Sequence, residues 1–212
     1  WGAWTLMVIT PLSMVWSASY LKELWPAWDW KFKILDDFEK LVIKNRKGLA
    51  WVMIILAVIL GIYTGILLSA FNARPLWNTS LLGPLFLVSG MSTGAATIMW
   101  MAKDKSERIL MSKIDLLLIS VELFFIVHLF MGFLASNAVQ IEAANLFLGG
   151  AFTVSFWGFV VVLGLIVPAL LEILELRGYH IPVAIPAGLI LFGGMMFRFI
   201  MVEAGQITRY LY

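Results

Sequence analysis

The chain has 212 residues, of which 62% are hydrophobic and 13% charged, with a formal net charge of +2. Soluble domains carry about 45–50% apolar and about 25% charged residues, so this composition excludes an ordinary aqueous domain and points to a bilayer. Charge balance carries no signature of nucleic-acid binding, and the absence of cysteine excludes disulfides, a cysteine-ligated iron–sulfur cluster and thiol chemistry within the chain.

Six apolar segments follow one another, at roughly 1–20, 49–71, 81–101, 114–135, 147–171 and 181–202. Each is long enough to cross a hydrocarbon core of about 30 Å at about 1.5 Å per residue. Backbone polar groups in lipid must bond internally, and no sustained period-2 alternation marks a barrel. The predicted fold class is therefore an all-α integral membrane protein, a bundle of about six transmembrane helices forming a single transmembrane domain over 1–212. The chain starts at Trp1-Gly2-Ala3-Trp4, without Met and already inside an apolar run, and is expected to be a C-terminal part of a larger helical subunit.

The first connection, 21–48, is expected to be a cytoplasmic interfacial segment. Its Trp25-Pro26-Ala27-Trp28-Asp29-Trp30 stretch reads as an aromatic belt, and Phe32 to Lys47 mixes apolar and charged residues at helical spacing, as a surface helix does. It carries Lys22, Lys31, Lys33, Lys40, Lys44, Arg46 and Lys47; the third connection carries Lys103, Lys105, Arg108 and Lys113, and the fifth carries Arg177. The second carries only Arg74, the fourth none, and the tail Arg209. The positive-inside rule places the first, third and fifth connections in the cytoplasm and the Arg74 turn outside.

The second segment and its exit read Gly61-Ile62-Tyr63-Thr64-Gly65, then Phe71-Asn72-Ala73-Arg74-Pro75-Leu76-Trp77-Asn78. A quinone headgroup needs hydrogen-bond donors beside an apolar slot, and Tyr63, Asn72, Arg74 and Asn78 supply donors at one membrane edge. A capped turn with an anchoring Trp and Arg explains the same residues. In the third segment, Gly90 and Gly94 allow close helix approach, and the neighbouring hydroxyls also suit a polar cavity. The fourth carries Asp115 and Glu122 seven residues apart, hence on one helical face. Asp115, near the interface, is expected to be solvated. Glu122 lies near mid-membrane, where a charge costs about 2.5–3.5 kcal/mol on insertion scales, so it should face protein or water, as a proton relay or as a neutral, hydrogen-bonded acid joining helices. His128 lies off that face and reads as a satisfied polar residue. In the sixth segment, Arg198 pairs with a carboxylate across helices or snorkels outward, and Glu203 lies in solvent near the helix end. Asp115, Glu122, His128, Arg198 and Glu203 are the proton-relay candidates. The only histidines, His128 and His180, sit at opposite depths and cannot share one haem.

At the second connection the sequence resembles a known family. GIYTGILLSAFNARPLWN followed by FLVSGMSTGAA is similar to the NrfD/PsrC family of membrane subunits, the polysulfide reductase and nitrite reductase anchors. WGAW at the start, FWGFVVVLGLIVPALLE in the fifth segment and IPVAIPAGLILFGGMMFRFIMVEAGQ in the sixth extend the resemblance over nearly the whole length. The resemblance implies a membrane subunit that exchanges electrons between a quinone (menaquinone or ubiquinone) and an iron–sulfur subunit at the outer face. That subunit is in turn coupled to a molybdenum or multihaem catalytic subunit. The resemblance also implies location in the inner (plasma) membrane. It puts Tyr63 at the quinone pocket and turns Asn72, Arg74 and Asn78 toward the pocket or the iron–sulfur subunit. Neither haem nor an iron–sulfur cluster is expected within the chain. N-terminal helices that contribute to the quinone site in the family have no counterpart here, so the site as named is incomplete. A passive anchor and a proton- or ion-translocating subunit stand as the alternative functions.

Overall fold

The computed structural model describes residues 2–24 and 33–210, and the Trp25–Trp30 aromatic stretch lies outside the described residues. Helices account for all regular structure among them. They are α1 (Gly2–Ala18), α2 (Leu21–Leu24), α3 (Lys33–Lys44), α4 (Arg46–Ser69), α5 (Leu82–Met101), α6 (Lys105–Leu134) and α7 (Ala138–Asn145), followed by α8 (Val154–Leu176) and α9 (Ala184–Ile207). Five are long and apolar enough to cross a membrane: α4, α5, α6, α8 and α9. The first helix is apolar but only 17 residues long, about 25 Å by helical rise, and carries Pro11.

The chain divides into two compact units, Trp1–Thr64 and Gly65–Tyr212. In the first, α3 is the expected surface helix, and it contacts α1. Glu39 of α3 is buried and bridges to Lys22 at 2.9 Å. Arg46 closes the same region: its Nη1 donates to Glu23 Oε1 at 2.9 Å, its Nη2 donates to the Ser19 carbonyl at 2.6 Å, and its guanidinium stacks 4.0 Å from the Tyr20 ring.

The second unit packs α5, α6, α8 and α9 against one another. Leu82, Leu85, Phe86, Ile119, Ile126, Phe156, Phe197 and Ile200 form the centre of its core. Close approach is made by glycine pairs. A Cβ on Gly193 would fall 2.4 Å from the Gly164 Cα, so α8 and α9 cross with backbones touching. A Cβ on Gly65 would meet the Gly83 backbone at 2.4 Å. Gly90 and Gly94, the glycines singled out in the sequence, do not make such crossings. Gly94 faces open space and Gly90 has only Arg198 nearby, at 3.6 Å. Both were chosen for spacing on one helix, whereas a crossing needs a small residue on each of two helices at the same height.

Two boundaries depart from the apolar segments. α6 begins nine residues before the expected 114, because Asp104 caps it by accepting from Ser106 N–H and the charged turns simply continue the helix beyond the apolar span. At 30 residues it is about 45 Å long, longer than the hydrocarbon core. α8 runs to Leu176 and begins at Val154, winding as a wide-turn π-helix over Val154–Ile166. It ends in Gly178 at φ 98°, with Tyr179 N–H bonded to the Leu174 carbonyl and Gly178 N–H to the Glu175 carbonyl, a left-handed glycine stop. Between α6 and α8 the short α7, capped by Asn137 on Gln140 N–H at 2.9 Å, was hidden by its mixed composition.

Candidate functional site

Two groups of polar residues stand out in the second unit, one at the Arg74 turn and one inside the bundle.

The turn between α4 and α5 is held from three directions. Pro75, Leu76 and Trp77 are buried, and the Trp77 indole donates to the Met201 carbonyl at 2.9 Å while packing against Gly205, where no Cβ would fit. Arg74 Nη1 donates to the Thr208 carbonyl at 2.9 Å and also to the Gln206 carbonyl, so it caps the C-terminal end of α9. Gln140 of α7 donates to the Asn78 carbonyl at 3.2 Å and toward the Pro75 carbonyl at 3.4 Å. The side chains of Asn72 and Asn78 are exposed. Beside the turn, Pro75, Glu142, Ala143, Leu146, Ile207 and Thr208 line a groove of about 220 Å³. The sequence grouped Arg74 with Asn72 and Asn78 as hydrogen-bond donors; the structure uses part of the Arg74 fork on helix carbonyls and leaves the two asparagines outward.

Tyr63 belongs to the first unit. Its half-buried ring packs against the α1 backbone at Gly2, where a Cβ would fall 2.0 Å from the ring. Gly2 thus supplies the room the ring occupies.

Inside the bundle, one stripe of α6 faces protein along its length. It is polar near the Lys105 end, with Ser112, Asp115 and Glu122, and apolar toward the other end, with Ile126, Leu129 and Phe133. Asp115 is fully buried, not solvated as its nearness to the interface implied. The cause is packing: α6 begins well before the apolar span, and α5 and α8 lie against it. Ser92 of α5 donates to Asp115 Oδ1 at 2.6 Å. Glu122 is 2% exposed and lies beside Ser89. Arg198 of α9 sits close enough for its charge to act on Glu122, yet its Nη1 donates to the Gly194 carbonyl of its own helix at 2.6 Å and no direct ion pair forms. His128 is exposed on the opposite side of α6, its Nδ1 paired with the Phe124 carbonyl at 2.8 Å and its ring 3.9 Å from that of Phe124. Glu203 is exposed on α9. Of the five relay candidates, Asp115 and Glu122 are thus buried, Arg198 is half-buried near Glu122, and His128 and Glu203 are exposed.

The residue that sequence reading missed is Glu172 of α8, fully buried within hydrogen-bonding reach of Asp115 and Ser112. It falls one residue beyond the fifth apolar segment, 147–171, in Leu170-Leu171-Glu172-Ile173-Leu174-Glu175, and no role was read for it. The signal was a helix that needed one more turn before its glycine stop.

No group of three or more His, Cys, Asp or Glu side chains among the described residues is arranged to hold a metal ion. No solved structure matches this protein. The "Protein NrfD" of Escherichia coli (strain K12) is 37% identical over 190 residues, covering 85% of this chain and 60% of that protein. The "Protein NrfD homolog" of Haemophilus influenzae is 32% identical over 170 residues, covering 74% of this chain and 52% of that protein. A polysulfide reductase subunit of Wolinella succinogenes is 31% identical over 187 residues, covering 82% of this chain and 59% of that protein. The chain thus spans 52–60% of the length of the curated relatives it matches. The family described as "Polysulphide reductase, NrfD" matches residues 1–209, and with five spanning helices and this order of motifs the chain belongs to the NrfD family of multi-pass membrane proteins.

Proposed function

We propose that the protein is the quinone-reactive part of a membrane subunit of a respiratory oxidoreductase in the inner (plasma) membrane. It exchanges electrons between the quinone pool and an iron–sulfur subunit, which a molybdenum or multihaem catalytic subunit follows. The observation that carries this reading is the similarity to the Wolinella succinogenes polysulfide reductase subunit over 82% of the sequence. The basic connections face the cytoplasm in this reading, because positive charge is retained on that side. Tyr63 donates its phenol to a quinone carbonyl, its ring lying beside the apolar slot. The Arg74–Asn78 turn, anchored by Trp77 and Gln140 and presenting Asn72 and Asn78 outward, offers amide donors and acceptors to the outer partner.

Affinity purification of the complete subunit from membranes, with identification of co-purifying proteins and assay of quinol-dependent electron transfer, tests the reading. Co-purification of an iron–sulfur protein together with quinol-dependent turnover is expected. Recovery without any redox partner, and without quinol activity, would leave the passive anchor. Proton coupling is the second reading, favoured by one observation, the burial of Glu122 and Asp115 on a single α6 stripe.

A further inference from the structure

Asp115 and Glu172 face each other with no exposure at all, Asp115 from α6 and Glu172 from α8. An ionised carboxylate only accepts hydrogen bonds. Asp115 Oδ1 has its donor in Ser92, at 2.6 Å. Asp115 Oδ2 and both oxygens of Glu172 have no donor, and neither has the Ser112 hydroxyl, 2% exposed and next to Glu172, any completed hydrogen bond. Four buried oxygen atoms of this cluster, Asp115 Oδ2, both Glu172 oxygens and the Ser112 hydroxyl, thus lack a hydrogen-bond partner. The charged groups around the pair do not compensate it. Glu175 on α8 adds a further negative charge near Glu172, and Arg198 on α9 acts on Glu122, which stands about 10 Å along α6 from Asp115 by helical rise. Ser92 is the polar contribution of α5. Arg108 lies one turn before Ser112 on the same face of α6, its Nε buried without a hydrogen-bond partner, and its charge is not among those acting on Asp115 or Glu172.

Two like charges in contact cannot both persist in such surroundings. One positive charge placed between them removes both the repulsion and the missing donors. We propose that Asp115 and Glu172 form a binding site for one exchangeable proton, held between Asp115 Oδ2 and a Glu172 oxygen. Bound there, the proton makes one carboxyl a donor to the other, and the Ser112 hydroxyl completes the remaining Glu172 oxygen. A sodium ion is the competing occupant of the same chemistry. The site does not rest on the quinone reading, since it concerns the protonation of this protein alone.

The test is infrared spectroscopy of the purified complex, comparing wild type with Asp115→Asn/Glu172→Gln in H₂O and D₂O, in sodium-free and sodium-containing buffer. Both substitutions keep size and remain able to hydrogen-bond, and the comparison is made in a Glu122→Gln background, because Asp115 acts on the Glu122 carboxyl. The expected difference is the loss of one protonated-carboxyl carbonyl band, shifted in D₂O and indifferent to sodium, together with the bands of one carboxylate. Loss of two carboxylates and no protonated band, with sodium dependence, would assign the site to a metal cation; loss of two protonated bands would show two independent neutral acids. Either result overturns the proposal. Should the double variant fail to insert, Glu172→Gln alone decides: with the second carboxyl gone no proton is shared, so the wild-type protonated band should vanish or shift, and a band identical to wild type would overturn the shared proton.

Discussion

At the scale of single residues, Tyr63, Arg74 and Glu122 illustrate three different uses of a polar group in an apolar protein. Tyr63 has a ring seated on the Gly2 backbone, so the phenolic oxygen is the part free to change without disturbing packing. Tyr63→Phe should leave folding intact and weaken quinol turnover or inhibitor binding by a loss of about 0.5–1.5 kcal/mol, several-fold in affinity; wild-type values for both would remove Tyr63 from the site. Arg74 caps the last carbonyls of α9 through Nη1. Arg74→Ala should lower the stability of the detergent-solubilised protein by about 1.5–3 kcal/mol, the range for a charged hydrogen bond. An unchanged melting temperature would show that the cap contributes nothing. For Glu122, buried beside Ser89, the replacement Glu122→Gln keeps volume and hydrogen bonding. Assembly should survive it, while proton movement accompanying quinol turnover in proteoliposomes should fall if Glu122 relays protons; unchanged coupling would leave it a helix-joining role only.

At the scale of elements, helix packing turns on which glycines meet another backbone. Gly164 and Gly193 touch across α8 and α9, and Gly94 of α5 faces open space. Gly193→Ala forces the two helices apart and should cost about 1–3 kcal/mol, as overpacking does. Gly94→Ala should stay within about 0.5 kcal/mol, the usual range for an unconstrained position. Thermal unfolding of both variants side by side checks the pair; equal effects would contradict the crossing. The end of the second unit nearest α7 is held differently, by aromatic rings. Phe130, Phe147 and Phe156 pack with centroids 5.1–5.6 Å apart, and the Trp157 indole donates to the Phe147 carbonyl at 2.9 Å. Such rings bring large buried area with edge-on geometry, so this end resists deformation while the polar Ser112–Glu122 end keeps its buried acids.

For the whole molecule, orientation is the testable property. The Lys103–Lys113 connection and the Arg74–Asn78 turn lie at opposite ends of α5. Cysteine can be introduced cleanly because the sequence has none of its own. Single cysteines at Asn78 and Lys105, both exposed, should label from opposite faces of intact cells and inverted vesicles, Lys105 from the cytoplasmic side. Labelling of both from one face would overturn the topology.

What the sequence determined by itself was the all-α membrane class and the family, while the sidedness it implies is what the labelling above tests. Length of apolar run, the 12-to-2 split of basic residues between alternate connections and the Tyr63-to-Asn78 motif are local quantities, readable without knowing what touches what. The surface helix α3 was legible for the same reason, since its periodicity is written along 12 consecutive residues. The tertiary structure alone decided which polar residues are inside. Asp115 read as solvated because hydropathy marks where lipid begins, not where protein covers a helix that extends past it. Glu172 drew no reading at all, because its partner, Asp115, is 57 residues away. Gly94 and Gly193 are indistinguishable as letters; only the crossing of α8 and α9 makes one a contact and leaves the other bare. Burial of a charge and the meeting of two backbones are properties of pairs of elements, and a single stretch of sequence carries only one member of each pair.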